Sequence, residues 1–198
     1  MKPKKTKSKE LSIKNQFKEA IKYVKESRNF IYASIIIFIV FSIIGFMASD
    51  QLRFLDEILK DLIQKTDGLG TFELIFFILQ NNLQSALFSI ILGIVAGIFP
   101  LGSAIMNGTI MGYVLARTSE VAGFGVWWRL LPHGIFELPA IFISFGLGIK
   151  LGLSFFTKKP LKNIKERFYQ SLNVMLMIII PLLIIAAIIE GALIIFLG

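Results

Sequence analysis

Nineteen consecutive residues, Phe30 to Ala48, carry no charge, and from Leu172 to Gly198 the only charge is Glu190. A chain folding in water cannot easily hide runs of this kind. At ~1.5 Å per helical residue, they are long enough to cross a ~30 Å hydrocarbon layer. The apolar residues sit in blocks instead of recurring at the period of a half-buried helix or strand. Composition agrees: 55% of residues are hydrophobic and 17% charged, against roughly 45–50% and about 25% in soluble domains. The expected fold class is all-α, a polytopic membrane helix bundle of about five transmembrane helices with amphipathic interfacial helices.

Several chemistries are excluded at once. There is no cysteine and a single histidine, His133, which removes disulfides, thiolate nucleophiles and the multi-ligand sites of zinc enzymes. No catalytic, cofactor-binding or metal-ligating set is expected. The net charge of +8 does not point to nucleic acid, because it lies in two patches flanking apolar spans. The block at Phe30 is too long and too late for a cleavable signal.

Two regions divide the chain: 1–29, a basic tail with an amphipathic helix, and 30–198, the transmembrane region. Between Glu10 and Arg28 the residues Ile13, Phe17, Ala20, Ile21 and Val24 recur at steps of three and four among lysines, as in an interfacial helix. Spans are expected over residues 30–48, 83–99, 101–116, 131–153 and 172–192. Residues 50–70 read as an outer amphipathic segment with Leu55 and Leu59 at the centre of its apolar stripe, closed by Asp67-Gly68-Leu69-Gly70. Residues 71–80 are too short to span alone and read as interfacial or re-entrant, with continuity into the second span left open. Pro100-Leu101-Gly102 reads as the break between the second and third spans. Trp127-Trp128-Arg129 suits a membrane interface, 155–170 reads as a second cytoplasmic amphipathic segment, and Pro181 should kink the last span.

Lysine and arginine set the orientation. With five spans, sixteen of the 21 basic residues fall on the side of the N-terminus and five on the other. By the positive-inside rule the N-terminus is cytoplasmic and the C-terminus outside, in a multi-pass protein of the cell membrane.

Polar residues inside spans are costly in lipid and normally face protein or water. The candidates are Asn81, Asn82, Asn107, His133, Glu137 and Glu190, which this topology places mostly toward the outer side, with Asn107 near mid-membrane. Glu137, His133 and Glu190 form an ion or proton path, or else Glu137 and His133 tie a broken fourth helix to its neighbours. Gly93 and Gly97, and Gly148 and Gly152, have the small-xxx-small spacing of close helix packing.

Asn81-Asn82, Gly93, Gly97, Asn107-Gly108 and Gly112, followed by Pro132-His133-Gly134-x-x-Glu137-Leu138-Pro139-Ala140, resemble the stage II sporulation protein M family. The resemblance implies a small integral membrane protein. In spore formers it implies an anchor or scaffold acting with two partner proteins that remodel septal peptidoglycan, the catalysis belonging to the partners. Relatives occur in organisms that form no spores, including archaea, where the resemblance implies no particular role. The expected function is therefore a membrane scaffold whose partners are the bilayer, other proteins and, in one arrangement, a second copy. The alternative is a small transporter or channel with a polar pocket of Asn81, Asn107, His133 and Glu137.

Overall fold

The computed structural model describes residues 13–125, Trp127 and residues 131–197, with backbone alone for Leu62, residues 131–133 and residues 191–197. The tail Met1 to Lys9 and the Trp128-Arg129 pair lie outside the described residues. Every regular element among those described is helical: α1 (Ile13–Glu26), α2 (Arg28–Met47), α3 (Leu55–Thr66), α4 (Thr71–Ile91), α5 (Ile98–Ala122), α6 (Leu131–Gly152), α7 (Pro160–Val174) and α8 (Ile180–Leu197). Five stretches are long and apolar enough to cross a membrane: Arg28–Met47, Thr71–Ile94, Ile98–Ala122, Gly134–Phe156 and Pro160–Glu190.

The axis of the bundle is α6. Two thirds (67%) of its apolar window is buried, against 17–33% for the other four stretches, and it packs against α2, α4, α5 and α8. Glycines allow this crowding. A Cβ on Gly146 would stand 2.6 Å from the Ile31 side chain, and one on Gly93 2.6 Å from Gly148 Cα. A Cβ on Gly148 would collide with Ser89 O, and one on Gly152 with Gly97 N. The most extensive pairing joins α2 and α5, where Gly45 abuts Thr109, Gly108 abuts Phe38 and Gly112 abuts Ser42, each on backbone oxygen. Without a hydrophobic drive between helices in lipid, such backbone approach is a main source of cohesion. Buried serines follow suit: Ser34 Oγ donates to Ile31 O (2.8 Å) and to Phe142 O across the α2–α6 seam (3.2 Å).

Three boundaries differ from the sequence reading. Residues 71–80 are not re-entrant or interfacial but continuous with the second membrane helix, because Gln80, Asn81 and Asn82 fall mid-helix and leave α4 unbroken. Its first turn is closed by Glu73, whose Oε2 accepts from Gly70 N at 2.9 Å. The chain turns at residues 92–97, not at Pro100. There Gly97 takes φ +73° and even Ala96 is left-handed at φ 50°, a region costly for a residue with a Cβ. Pro100 instead occupies the third position of α5, where its missing N–H has no helical partner to lose. Finally, α7 runs into α8 through one π-helical turn, Met175–Ile179, just before Pro181.

The direction of the five crossings alternates. One end of the bundle gathers α1, the 92–97 turn, residues 153–159 and α7. The opposite end gathers α3 and the loop that follows α5. The two basic stretches of the sequence thus share one end, since α1 packs along α7.

Candidate functional site

At the basic end a surface helix is fixed to the bundle by buried polar groups. Ser27 joins α1 to α2 and donates Oγ to Tyr23 O at 2.7 Å. Lys150, near the end of α6 and only 9% exposed, donates to Ser27 Oγ at 2.9 Å and places Nζ 3.9 Å from the centre of the Tyr23 ring. Such a cation–π contact gains strength when desolvated. Arg167 of α7 reaches back to Lys150 O and to Ser154 Oγ, and Asn173 donates to Gln16 O of α1 at 2.9 Å. Tyr23 Oη and Ser171 Oγ are buried without a hydrogen-bond partner among the described residues. Burial pushes the Tyr23 phenol up to about 12, against the pull of the nearby Ser171 hydroxyl and the Arg167 charge. Between α1 and α7 lies an open groove of about 590 Å³ whose walls include Gln16, Glu19, Lys22, Glu26 and Asn173.

At the opposite end α3 is fastened differently. Leu55 is 6% exposed, so it serves as a plug into the bundle and not as the centre of an outward stripe. Beside it Asp56 accepts from Tyr113 Oη at 2.6 Å and stands 3.9 Å from Arg117, which also pairs with Glu120. Leu59 is half-buried, while Phe54 and Ile58 remain exposed. Trp127 donates Nε1 to Ser119 Oγ at 2.8 Å and meets Phe46 and Phe124 edge-on. A groove of about 370 Å³ between α2 and α5 runs beneath it, walled by Phe38, Ile43, Phe46 and Met111 among others.

The polar residues singled out from the sequence are spread over α4, α5, α6 and α8. Asn81 is exposed and Asn82 half-buried on α4. Asn107 is exposed on α5 and donates to Ser103 O of its own helix at 2.8 Å. Glu137 and Glu190 are half-buried. His133 lies in the first turn of α6, and its side chain is outside the described residues. Neither groove is lined by Asn81, Asn82, Asn107, Glu137 or Glu190. Of the residues that do meet across elements, Tyr23, Ser27, Arg167 and Asp56 enter the sequence reading only as members of amphipathic or charged stretches, and Lys150 and Tyr113 only as members of the expected spans 131–153 and 101–116. A lysine within an otherwise apolar helix is the one local sign that could have marked Lys150.

A family model described as Stage II sporulation protein M matches residues 34–193, a stretch that covers the bundle and omits α1. An uncharacterized protein of Methanocaldococcus jannaschii is 34% identical over 128 residues, 60% of this chain and 54% of that protein. The chain therefore spans about half the length of that curated relative. No solved structure gives a significant match.

Proposed function

The chain belongs to the stage II sporulation protein M family of integral membrane proteins, and from that premise we propose that it is a scaffold presenting fixed surfaces on both sides of a membrane to partners that remodel the cell envelope. The supporting observation is that surface helices at both ends are tied to the bundle, by buried Lys150 with Ser27 at one end and by buried Leu55 and Tyr113 with half-buried Asp56 at the other. A protein that positions partners needs such helices at a set angle to the membrane; a freely hinged helix would not hold them. The basic end is the cytoplasmic one, by the positive-inside rule, so that α3 faces outside. The chemistry of remodelling resides in the partners.

Orientation is testable because the chain has no native cysteine. A cysteine at Lys65 should react with an impermeant maleimide in intact cells, and one at Lys158 only after permeabilisation. The reverse pattern overturns the orientation. For the scaffold itself, a photo-crosslinking residue at Ile58 should capture a partner with envelope-remodelling activity, and purified protein in liposomes should pass neither protons nor cations. Wild-type flux that disappears in a folded Glu137→Gln variant, whose amide takes up no proton, would overturn the scaffold in favour of transport.

A further inference from the structure

In lipid, a side chain that can hydrogen-bond has no solvent partner, so an outward amide in the middle of a span marks something that must cover it. On α4 there are three. The inner face of this helix, Ala86, Ser89 and Ile90, is buried against the bundle. Its outer face exposes Phe76, Gln80, Gln84, Phe88 and Ile91 at steps of four and three, with Asn81 beside them. Gln80 and Gln84 lie nine and thirteen residues into the stretch Thr71–Ile94, about 14 and 20 Å along it at ~1.5 Å per residue. That is the middle of a ~30 Å hydrocarbon layer.

None of the three amides makes a side-chain hydrogen bond among the described residues, whereas the exposed Asn107 donates its amide nitrogen to Ser103 O of its own helix. The outer faces of α2 and α8 carry only apolar side chains at comparable depth, such as Ile36, Ile39 and Ile43 on one and Ile184, Ile185 and Ile188 on the other. Among the described residues, side-chain amides with neither donor nor acceptor met are thus found on the outer face of α4 and not on those of α2 and α8. A water path through the bundle would need the amides to face inward, and they face outward.

We propose that the outer face of α4 seats a second copy of this chain, joined by reciprocal carboxamide hydrogen bonds of Gln80, Asn81 and Gln84. A carboxamide both donates and accepts. A two-fold axis beside α4 brings each amide to its own kind, so one surface satisfies itself with no complementary charge required. Phe76 on one side of the amides and Phe88 with Ile91 on the other would pack against the same residues of the second copy and exclude lipid from the seam. The pairing leaves α1, α7 and α3 open, and it doubles the surfaces presented at each side.

The full chain, labelled with donor and acceptor dyes and reconstituted into phosphatidylcholine vesicles, provides the test. Energy transfer should rise with the protein-to-lipid ratio. Substituting Leu for Gln80, Asn81 and Gln84 together should weaken association at least tenfold, with helix content unchanged. A single Gln84→Cys should form a disulfide-linked dimer on oxidation, and Ile43→Cys on the face of α2 should not. The cysteine pair keeps the proposal testable should the triple variant fold poorly. A wild-type protein that stays monomeric at every ratio overturns the proposal, as does a dimer that crosslinks through Ile43→Cys instead of Gln84→Cys.

Discussion

Lys150 at one end of the bundle and Asp56 at the other each tie a surface helix to the membrane helices, yet they do so under different dielectric conditions. The Lys150 side chain is almost out of reach of water, meets a hydroxyl and a ring, and has no carboxylate at ion-pair distance among the described residues. The Asp56 side chain is 35% exposed, its Arg117 neighbour 31%, and the pair is a charged one. The first tie is set by burial and geometry, and dissolved ions barely touch it. The second is a half-solvated ion pair reinforced by a phenol, and ions compete with it. A helix fastened in the first way should come away only when the packing itself fails. One fastened in the second way can be loosened by its medium.

The sharpest way to break this contrast is Arg167→Met. It strips donors from Lys150 O and Ser154 Oγ, and leaving such buried acceptors unmet costs about 1–3 kcal/mol. Hydrogen exchange should accelerate in α1 and α7 and stay unchanged in α3; equal loosening of α3 would show that the two ends are one unit.

Alkaline titration comes next. The folded phenol of Tyr23 is pushed above its ordinary value of 10.0 to about 12, so the folded state holds this proton more tightly than the unfolded chain does. Its contribution is complete below pH 10 and lost as pH climbs through 12. Protection of α1 should fall across that window, and Tyr23→Phe should abolish this dependence.

Tyr113→Phe should cost α3 about 1 kcal/mol. Raising salt from about 0.1 to 1 M, which shortens the screening length from about 10 to 3 Å, should loosen α3 further while α1 stays put. The smallest effect belongs to the exposed pair of Lys65 with Asp61, 2.6 Å apart on α3. Asp61→Ala should change stability by no more than about 0.5 kcal/mol, as read from a thermal melt.

The membrane helices were legible because hydrocarbon imposes a simple rule on length and charge, and Phe30 to Ala48 obeys it without interruption. Glycine spacing at Gly93 and Gly97 and at Gly148 and Gly152 was legible for a similar reason, since close approach needs small residues at helical repeat. Gly108 and Gly112 show the same spacing, yet Gly45, their counterpart on α2, has no small residue four positions away within its own helix, since Ser49 lies beyond the end of α2. The turn at residues 92–97 was missed because a proline draws the eye, while a proline in a first helical turn breaks nothing. Lys150 was legible only as a charge inside an apolar helix; its burial depends on α1 folding back over α6, 123 residues apart in sequence at the Ser27 contact. Leu55 and Leu59 share one face on any helical wheel, but no wheel says that the first plugs the bundle and the second only grazes it.

The π turn at Met175–Ile179 acts as a phase corrector. Buried residues along this last helix recur every four positions, at Ser171, Met175, Ile179, Leu183 and Ala187. An ordinary α-helix turns about 100° per residue and would carry such a series around by about 40° at each step. The wider turn takes up part of that drift, and α8 beyond it packs against α6 and α4. Were one residue lost there, each later residue would take its predecessor's place, so that Ile184 and Ile188 would enter the buried positions of Leu183 and Ala187 and Ala186 would move out to the exposed position of Ile185. Both versions are equally greasy, so hydrophobicity cannot choose between them. Steric size can: Ala187 is 1% exposed, and isoleucine in its place would hold the neighbouring helices apart. In this part of the molecule it is the smallest side chains that tell the helix which way to face.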